Sequence, residues 1–140
     1  MSERARPSVL VVEDEPTLRQ VIVEGLEADG FAVAQALDGA DAIDRLRGFA
    51  YDGLVVDLRL PDANGMDVLD EALTLFPAIR AVVITGFGGV NEAVTAIKRG
   101  AIDFLIKPFQ LAQLSRVLRA GIEQRQLRQE NAELRAQLQN

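Results

Sequence analysis

The sequence predicts an α/β fold, a doubly wound five-stranded parallel sheet with an extended C-terminal helix, on three observations. Five short apolar runs alternate with stretches of helical periodicity, which is the signature of repeated strand–helix units and a parallel sheet. The first, third and fourth runs are apolar almost throughout, as strands covered on both faces must be. The last helical stretch continues through "GIEQRQLRQENAELRAQLQN", which has no proline and only its first residue as glycine.

The elements follow in order. "SVLVVE" (8–13) is a buried strand, and Pro16 opens a helix at an early position where its missing N–H costs nothing. Leu18, Val21, Ile22, Gly25 and Leu26 share one face of that helix, and Gly30 ends it. "FAVAQA" (31–36) is a more mixed strand suited to an edge, followed by a short helix carrying Ala40, Ile43 and Leu46. "GLVVDL" (53–58) is the third strand. The turn-rich "RLPDANG" leads to a helix with Met66, Leu69, Leu73 and Phe76 inward, ended by Pro77. "RAVVIT" (80–85) is the fourth strand and "GFGG" a flexible turn. The fourth helix is expected to bury Val90, Val94 and Ile97, and Lys98, Arg99 and Gly100 close it. "AIDFLIK" (101–107) is the fifth strand. Leu111, Leu114, Leu118 and Ile122 give the last helix a stripe to lay on the sheet. Right-handed crossovers then favour a flavodoxin-like strand order 2-1-3-4-5, with a ligand crevice at the carboxyl ends of strands one and three.

Composition narrows the function. The chain has 140 residues, no Cys and no His, which excludes disulfide staples, histidine metal sites, a His-containing catalytic triad and a phosphohistidine on this chain. Absence of Cys fits a reducing compartment, and the charged start "MSERARPS" lacks the apolar core of a signal peptide. No apolar run nears the roughly 20 residues of a membrane span, so a cytoplasmic protein with no membrane contact is expected. The formal net charge of −6 is uneven: residues 1–110 carry ten basic and eighteen acidic side chains, the last thirty five basic and three acidic. An acidic body argues against direct nucleic-acid binding by this segment. The divisions expected are a disordered N-terminal segment (1–7), a domain body (8–120) and a helical linker (121–140).

At the carboxyl ends of the central strands stand Glu13 and Asp14 (strand one), Asp57 (three), Thr85 (four) and Lys107 (five). Singly, each has a structural explanation: Asp14 as a helix cap, Glu13 and Lys107 as solvated strand ends, Thr85 as an ordinary strand residue, Asp57 as a turn former. Together they place three carboxylates, a hydroxyl and an ammonium on one rim. Two charges about 4 Å apart repel by roughly 4 kcal/mol at an effective dielectric near 20. A cation or retained protons must therefore hold the carboxylates together. Hard oxygen ligands with room for water suit Mg²⁺, which joins one or two carboxylates to a phosphate. An ammonium and a hydroxyl opposite would cradle a phosphoryl group, and an Asp carboxylate can itself be the nucleophile.

From about Ser8 to Ala120 the chain resembles the receiver domain of two-component response regulators. The resemblance rests on "VVEDE", "VVDLRLPDANG", "ITG" and "DFLIKPF" in that order. It implies Asp14 as a direct Mg²⁺ ligand with Glu13 in the companion acidic position, and Asp57 as the phosphoacceptor. A backbone carbonyl at Arg59 would complete the metal set. Thr85 would be the switch hydroxyl, Phe104 the aromatic switch (plain core packing being its alternative), and Lys107 the conserved lysine beside the characteristic cis Pro108. The partner implied is a sensor histidine kinase. The change implied is a repacking of the face made by the fourth helix, fifth strand and fifth helix. Arg59 and Phe87 would tune the acyl-phosphate lifetime.

In the tail, Ala120, Leu127 and Leu134 fall at d positions and Gln124, Asn131 and Leu138 at a positions of a heptad, with Glu123 facing Arg128 and Glu130 facing Arg135. Asn at a with Leu at d suits a parallel two-stranded coil, so a homodimer through this helix and the switching face is expected; a solvated helical linker is the alternative. The segment "TGFGGVNEAVTAIKRGAIDFLIKPF" and the "QENAEL" linker are similar to those of nitrogen-regulator-type (NtrC-like, sigma-54-dependent) activators, implying an output domain beyond this chain. Two rivals are a standalone phosphorelay carrier, which has little need of a coil, and a phosphatase of the haloacid-dehalogenase type. The latter needs a second Asp two residues after the nucleophile, where Arg59 stands. No glycine pattern of a nucleotide-binding loop follows the first strand. An enzyme is not expected.

Overall fold

The computed structural model describes residues 6–86 and 89–139. Phe87 lies outside the described residues, as do residues 1–5 of the expected disordered segment. Strands β1 (Ser8–Val12), β2 (Ala32–Ala36), β3 (Gly53–Asp57), β4 (Arg80–Thr85) and β5 (Asp103–Ile106) form one sheet in the order β2-β1-β3-β4-β5, with every pairing parallel. This is the order expected from the sequence. Helices α1 (Pro16–Ala28), α2 (Gly39–Gly48), α3 (Gly65–Leu75), α4 (Val90–Arg99) and α5 (Leu111–Gln139) alternate with the strands.

Strand alternation sorts the core into two layers. Leu10, Val12, Leu54, Val56, Ala81 and Val83 face one way and join Leu46, Leu69 and Ala72 of α2 and α3. Val9, Val11, Val55, Val82 and Ile84 face the other and join Ile22 and Leu26 of α1 and Leu114, Leu118 and Ile122 of α5. Because side chains point alternately to opposite faces and helices cover both, every residue of β3 is buried. The strands stop one residue or more short of the apolar runs at several ends. Glu13, Leu58, Ala101 and Lys107 therefore belong to connections rather than to the ladder.

Helix ends follow their local chemistry. Glu15, not Asp14, caps α1: its carboxylate accepts from Thr17 N (3.1 Å) and Leu18 N (2.6 Å), and Pro16 takes the first turn. Asp14 is thereby left out of the capping role that the sequence allowed it. Gly30 (φ 97°) and Gly100 (φ 117°) adopt the left-handed conformation just past α1 and at the end of α4, a region that side chains with a Cβ avoid.

Three helix faces differ from expectation. In α1 Val21 is exposed and Val23 is buried in its stead; in α2 Ala40 is exposed while Gly39 and Ala42 turn inward. The largest difference is in α4, where Val90, Val94 and Ile97 are 79%, 44% and 48% exposed and Ala96 is the buried residue. The helix contacts β5 and α3 and gives Ala96 to the core layer, while its branched residues face outward. Periodicity identified the stripe correctly but assigned it to the wrong cover.

Candidate functional site

The expected residues meet at the carboxyl edge of the sheet. Glu13 and Asp57 are buried despite their charge, whereas Asp14 is exposed. One carboxylate oxygen from each of Glu13, Asp14 and Asp57 lies within 4.8 Å of the other two. Lys107, arriving from β5, places its Nζ 2.6 Å from Asp57 Oδ2 and 2.7 Å from Glu13 Oε1. The second Asp57 oxygen, Oδ1, accepts from Arg59 N at 2.9 Å. Both acceptor atoms of Asp57 are thus held, one by charge and one by the backbone of its own loop. Asp57 registers with Ile84 and Ile106 with Thr85, which seats buried Thr85 at the end of β4, the strand between those of Asp57 and Lys107. The Lys107 N–H donates to Thr85 O at 2.8 Å, and the Lys107–Pro108 peptide bond is cis. Phe104 is half-buried against the layer containing Val83, its neighbour in register. Arg59 is exposed, and its backbone pairs with Asn64.

Electrostatics sharpen this picture. Burial pushes the Glu13 carboxyl up to about 7, only partly countered by Lys107 and by Glu15 N–H, while the charge of Asp57 adds to the rise. For Lys107, burial works against the ammonium. Its bonds to Asp57 and Glu13 outweigh that and leave it above the usual lysine value. Glu13 Oε1 has the Lys107 charge beside it but no aligned hydrogen-bond donor, and it is buried. An all-oxygen set of three carboxylates within 4.8 Å of one another, two of them on buried side chains, fits a hard divalent cation.

Several contributors were not singled out in the sequence. Arg19 Nη1 donates to Glu13 O (2.8 Å) and Asp14 O (3.4 Å), fixing the acidic pair's backbone. Nothing in "PTLRQV" separates it from an exposed helical arginine. Gly65 passes so close to β3 that a Cβ there would stand 2.1 Å from Asp57 O. The "NG" before α3 was readable as a turn, not as this contact. Beside Lys107 an apolar cavity of about 330 Å³ is lined by Leu18, Val21, Ile22, Pro108, Phe109 and Leu111, which gives exposed Val21 a place.

The sequence profile of the response regulator receiver domain matches residues 9–119. The C4-dicarboxylate transport transcriptional regulatory protein DctD of Rhizobium meliloti (strain 1021) is 37% identical over 134 residues, which is 94% of this chain and 28% of that protein. The chain thus spans under a third of that relative's length. A solved response regulator receiver domain protein from Clostridium thermocellum superposes with a TM-score of 0.81 at 30% identity, covering 86% of this chain and 98% of that one. A response regulator from Burkholderia pseudomallei, solved with a phosphorylated aspartic acid, a calcium ion and citrate, superposes at 0.77 with 28% identity over 88% of this chain and 72% of that one. Fold, rim and profile agree: this chain belongs to the response regulator receiver domain family of two-component systems.

Proposed function

We propose that Asp57 is the phosphoacceptor, taking a phosphoryl group from a phosphohistidine on a sensor kinase. The carrying observation is that Asp57 lies between the Lys107 ammonium at 2.6 Å and the carboxylates of Glu13 and Asp14, on one rim. An Asp57 oxygen forms the new P–O bond while the P–N bond to the imidazole breaks, its electron pair staying on that nitrogen. Asp14, Asp57, the backbone carbonyl of Arg59 and Glu13 would hold Mg²⁺, which supplies charge neutralisation of the transferred group. Lys107 exchanges a carboxylate for a phosphoryl oxygen, and the Thr85 hydroxyl moves to another. Supporting this reading, the Burkholderia relative was solved with a phosphorylated aspartic acid and a calcium ion. The family match gives no support to a phosphatase, and receivers act as regulatory switches.

The exposed apolar residues Val90, Val94 and Ile97 of α4 and Ile106 of β5 form the surface that Phe104 would repack on phosphorylation. With Leu127, Leu134 and Leu138, all exposed on α5, they would serve a homodimer in which residues 121–140 act as a linker and the start of a coiled coil beyond a receiver of residues 8–120. The similarity to DctD, whose name marks a transcriptional regulator, supports a transcription-regulating output domain; the likeness of the "QENAEL" linker to nitrogen-regulator-type activators would make it one of the sigma-54-dependent class. No described helix is long and apolar enough to cross a membrane, which accords with a cytoplasmic protein.

The test is incubation with Mg²⁺ and acetyl phosphate followed by intact mass measurement. The chain should gain one phosphoryl group and Asp57→Asn none. Stoichiometric labelling that persists in Asp57→Asn would falsify the assignment.

A further inference from the structure

The loop from β3 to α3 is a short hairpin with its base at the site and its tip elsewhere. Gly65 N donates to Leu58 O at 2.7 Å, Arg59 and Asn64 form an antiparallel bridge, and Leu60 N donates to Ala63 O at 3.2 Å. At the base, Arg59 N holds Asp57 Oδ1. At the tip, Asp62 reaches across to α2: its Oδ1 accepts from Gly39 N at 2.7 Å and its Oδ2 from Ala40 N at 3.0 Å. These are orphan donors of the first turn, which the helix's own N-cap, Asp38, leaves open by bonding Asp41 N instead (2.8 Å). The two backbone donors hold the Asp62 carboxyl below the usual carboxylate range. The seat is tight enough to require glycine at position 39, where a Cβ would stand 2.7 Å from Ala63 Cβ and 3.1 Å from Asp62 Oδ1.

We infer that Asp62 is a positioning residue for the phosphoryl site: its two-pronged bond to the first turn of α2 fixes the hairpin that orients the Asp57 carboxylate and the Arg59 backbone. This rests on the reading of the site given above. The hairpin's base is covalently continuous with β3 and α3, but a lever held only at its base pivots. Asp62 supplies the second anchor, and α2 is a firm one because Ala42 and Leu46 are buried in the same layer as Leu58, Leu60 and Met66. Partners that orient a metal's ligands without touching the ion are worth an order of magnitude or more in metal affinity.

The experiment compares the full chain with Asp62→Ala, Asp62→Asn and Asp38→Ala. Mg²⁺ affinity is read by calorimetric titration, and amide hydrogen exchange at Gly39 and Arg59 is read without metal. Asp62→Ala should weaken Mg²⁺ on the order of tenfold and speed exchange at both amides, and Asp62→Asn, which keeps one acceptor, should fall between. Asp38→Ala removes a cap from the same helix without touching the hairpin. It should lower the melting temperature yet leave Mg²⁺ affinity within about twofold, below the order-of-magnitude effect of a lost ligand-orienting partner. Equal Mg²⁺ affinities in Asp62→Ala and the unaltered chain, or equal losses in Asp38→Ala and Asp62→Ala, overturn the inference. An unaltered chain that binds no Mg²⁺ overturns the reading of the site instead. In that case unchanged Arg59 exchange in Asp62→Ala would still remove the anchor on its own terms.

Discussion

Replacing Gly65 by alanine inserts a methyl group into the wall of the site. Its Cβ would stand 2.1 Å from Asp57 O, 2.8 Å from Leu58 Cα and 2.9 Å from Asp57 C, all of them backbone atoms with no rotamer to change. Ordinary contact begins near 3.4 Å, so the two strands of the hairpin must part by more than an ångström. That movement breaks the 2.7 Å bond from Gly65 N to Leu58 O. Leaving such a buried donor unsatisfied costs about 1–3 kcal/mol, and overpacking adds about 1–3 kcal/mol. Alanine's better helix propensity at the start of α3 returns at most about 1 kcal/mol. The net loss is about 3 kcal/mol, which for a chain of this size lowers the melting temperature by about 10 °C. Because the displaced carbonyl belongs to Asp57, Mg²⁺ affinity should fall as well. The control is Gly48→Ala in α2, where a Cβ meets nothing within 4 Å; it should be neutral or stabilise by up to about 1 kcal/mol. Thermal melts with a Mg²⁺ titration on each variant decide the matter. A Gly65→Ala protein melting within about 2 °C of the parent, under 1 kcal/mol at this size, with unchanged Mg²⁺ affinity, would refute the reasoning.

Two further outcomes follow from other parts of the molecule. Asp52 accepts from Ser8 N (2.8 Å), Ser8 Oγ (3.2 Å) and Arg125 Nη2 (2.6 Å). Burial favours its protonated form, but these bonds outweigh burial and hold the carboxyl below its usual value. Its stabilisation is therefore complete above the unfolded pKa of about 3.9 and fades as pH falls through the lower folded value. Asp52→Asn should lose about 2 kcal/mol near neutrality, with the gap in urea midpoint from the parent narrowing below about pH 4; a gap that widens there contradicts the pairing. In the tail, Leu127→Ser combined with Leu134→Ser should raise the dimer dissociation constant by at least about tenfold, the effect of losing roughly 1.4 kcal/mol of seam packing. Sedimentation equilibrium reads it, and identical concentration dependence in both chains would count against a coil.

How much was legible depended on the kind of information each residue carries. Glu13, Asp14, Asp57, Thr85 and Lys107 could be placed on one rim because every parallel strand points its carboxyl end the same way. Their convergence needs only strand identity and order. Val90, Val94 and Ile97 defeated the same approach: a 3.6-residue stripe reports that a face seeks cover, not whether this chain provides it. Here α4 gives Ala96 to the core layer and leaves its branched residues outside. Val21 failed likewise, as it borders the cavity beside Lys107. Asp62, Arg19 and Gly65 act through contacts set by loop and helix geometry at ångström scale, for which no periodicity exists. For α1 the sequence offered Asp14 as a cap, and Glu15 took that place instead. That exchange matters, since it leaves the Asp14 carboxylate to the rim.

The rim also explains why a charged cluster is tolerable at the end of the most buried strand. Asp57 closes β3, whose five residues are all buried, and Glu13 follows β1 at its side. Two such carboxylates are costly unless a cation approaches closely. Among the described residues Lys107 does so, coming from beyond β5, fifty residues along the chain from Asp57 and on the far side of β4. The ion pairs therefore form only when β3, β4 and β5 are correctly ordered and in register, with the Lys107 N–H anchored to Thr85 O. If Asp57 takes the phosphoryl group as proposed, drawing the ammonium away would loosen the contact spanning these three strands. Thr85 and β5, beside the exposed residues of α4, are the parts nearest that contact. One lysine thus ties the rim to the strand at the sheet's edge, through its ammonium on Asp57 and Glu13 and its N–H on Thr85 O.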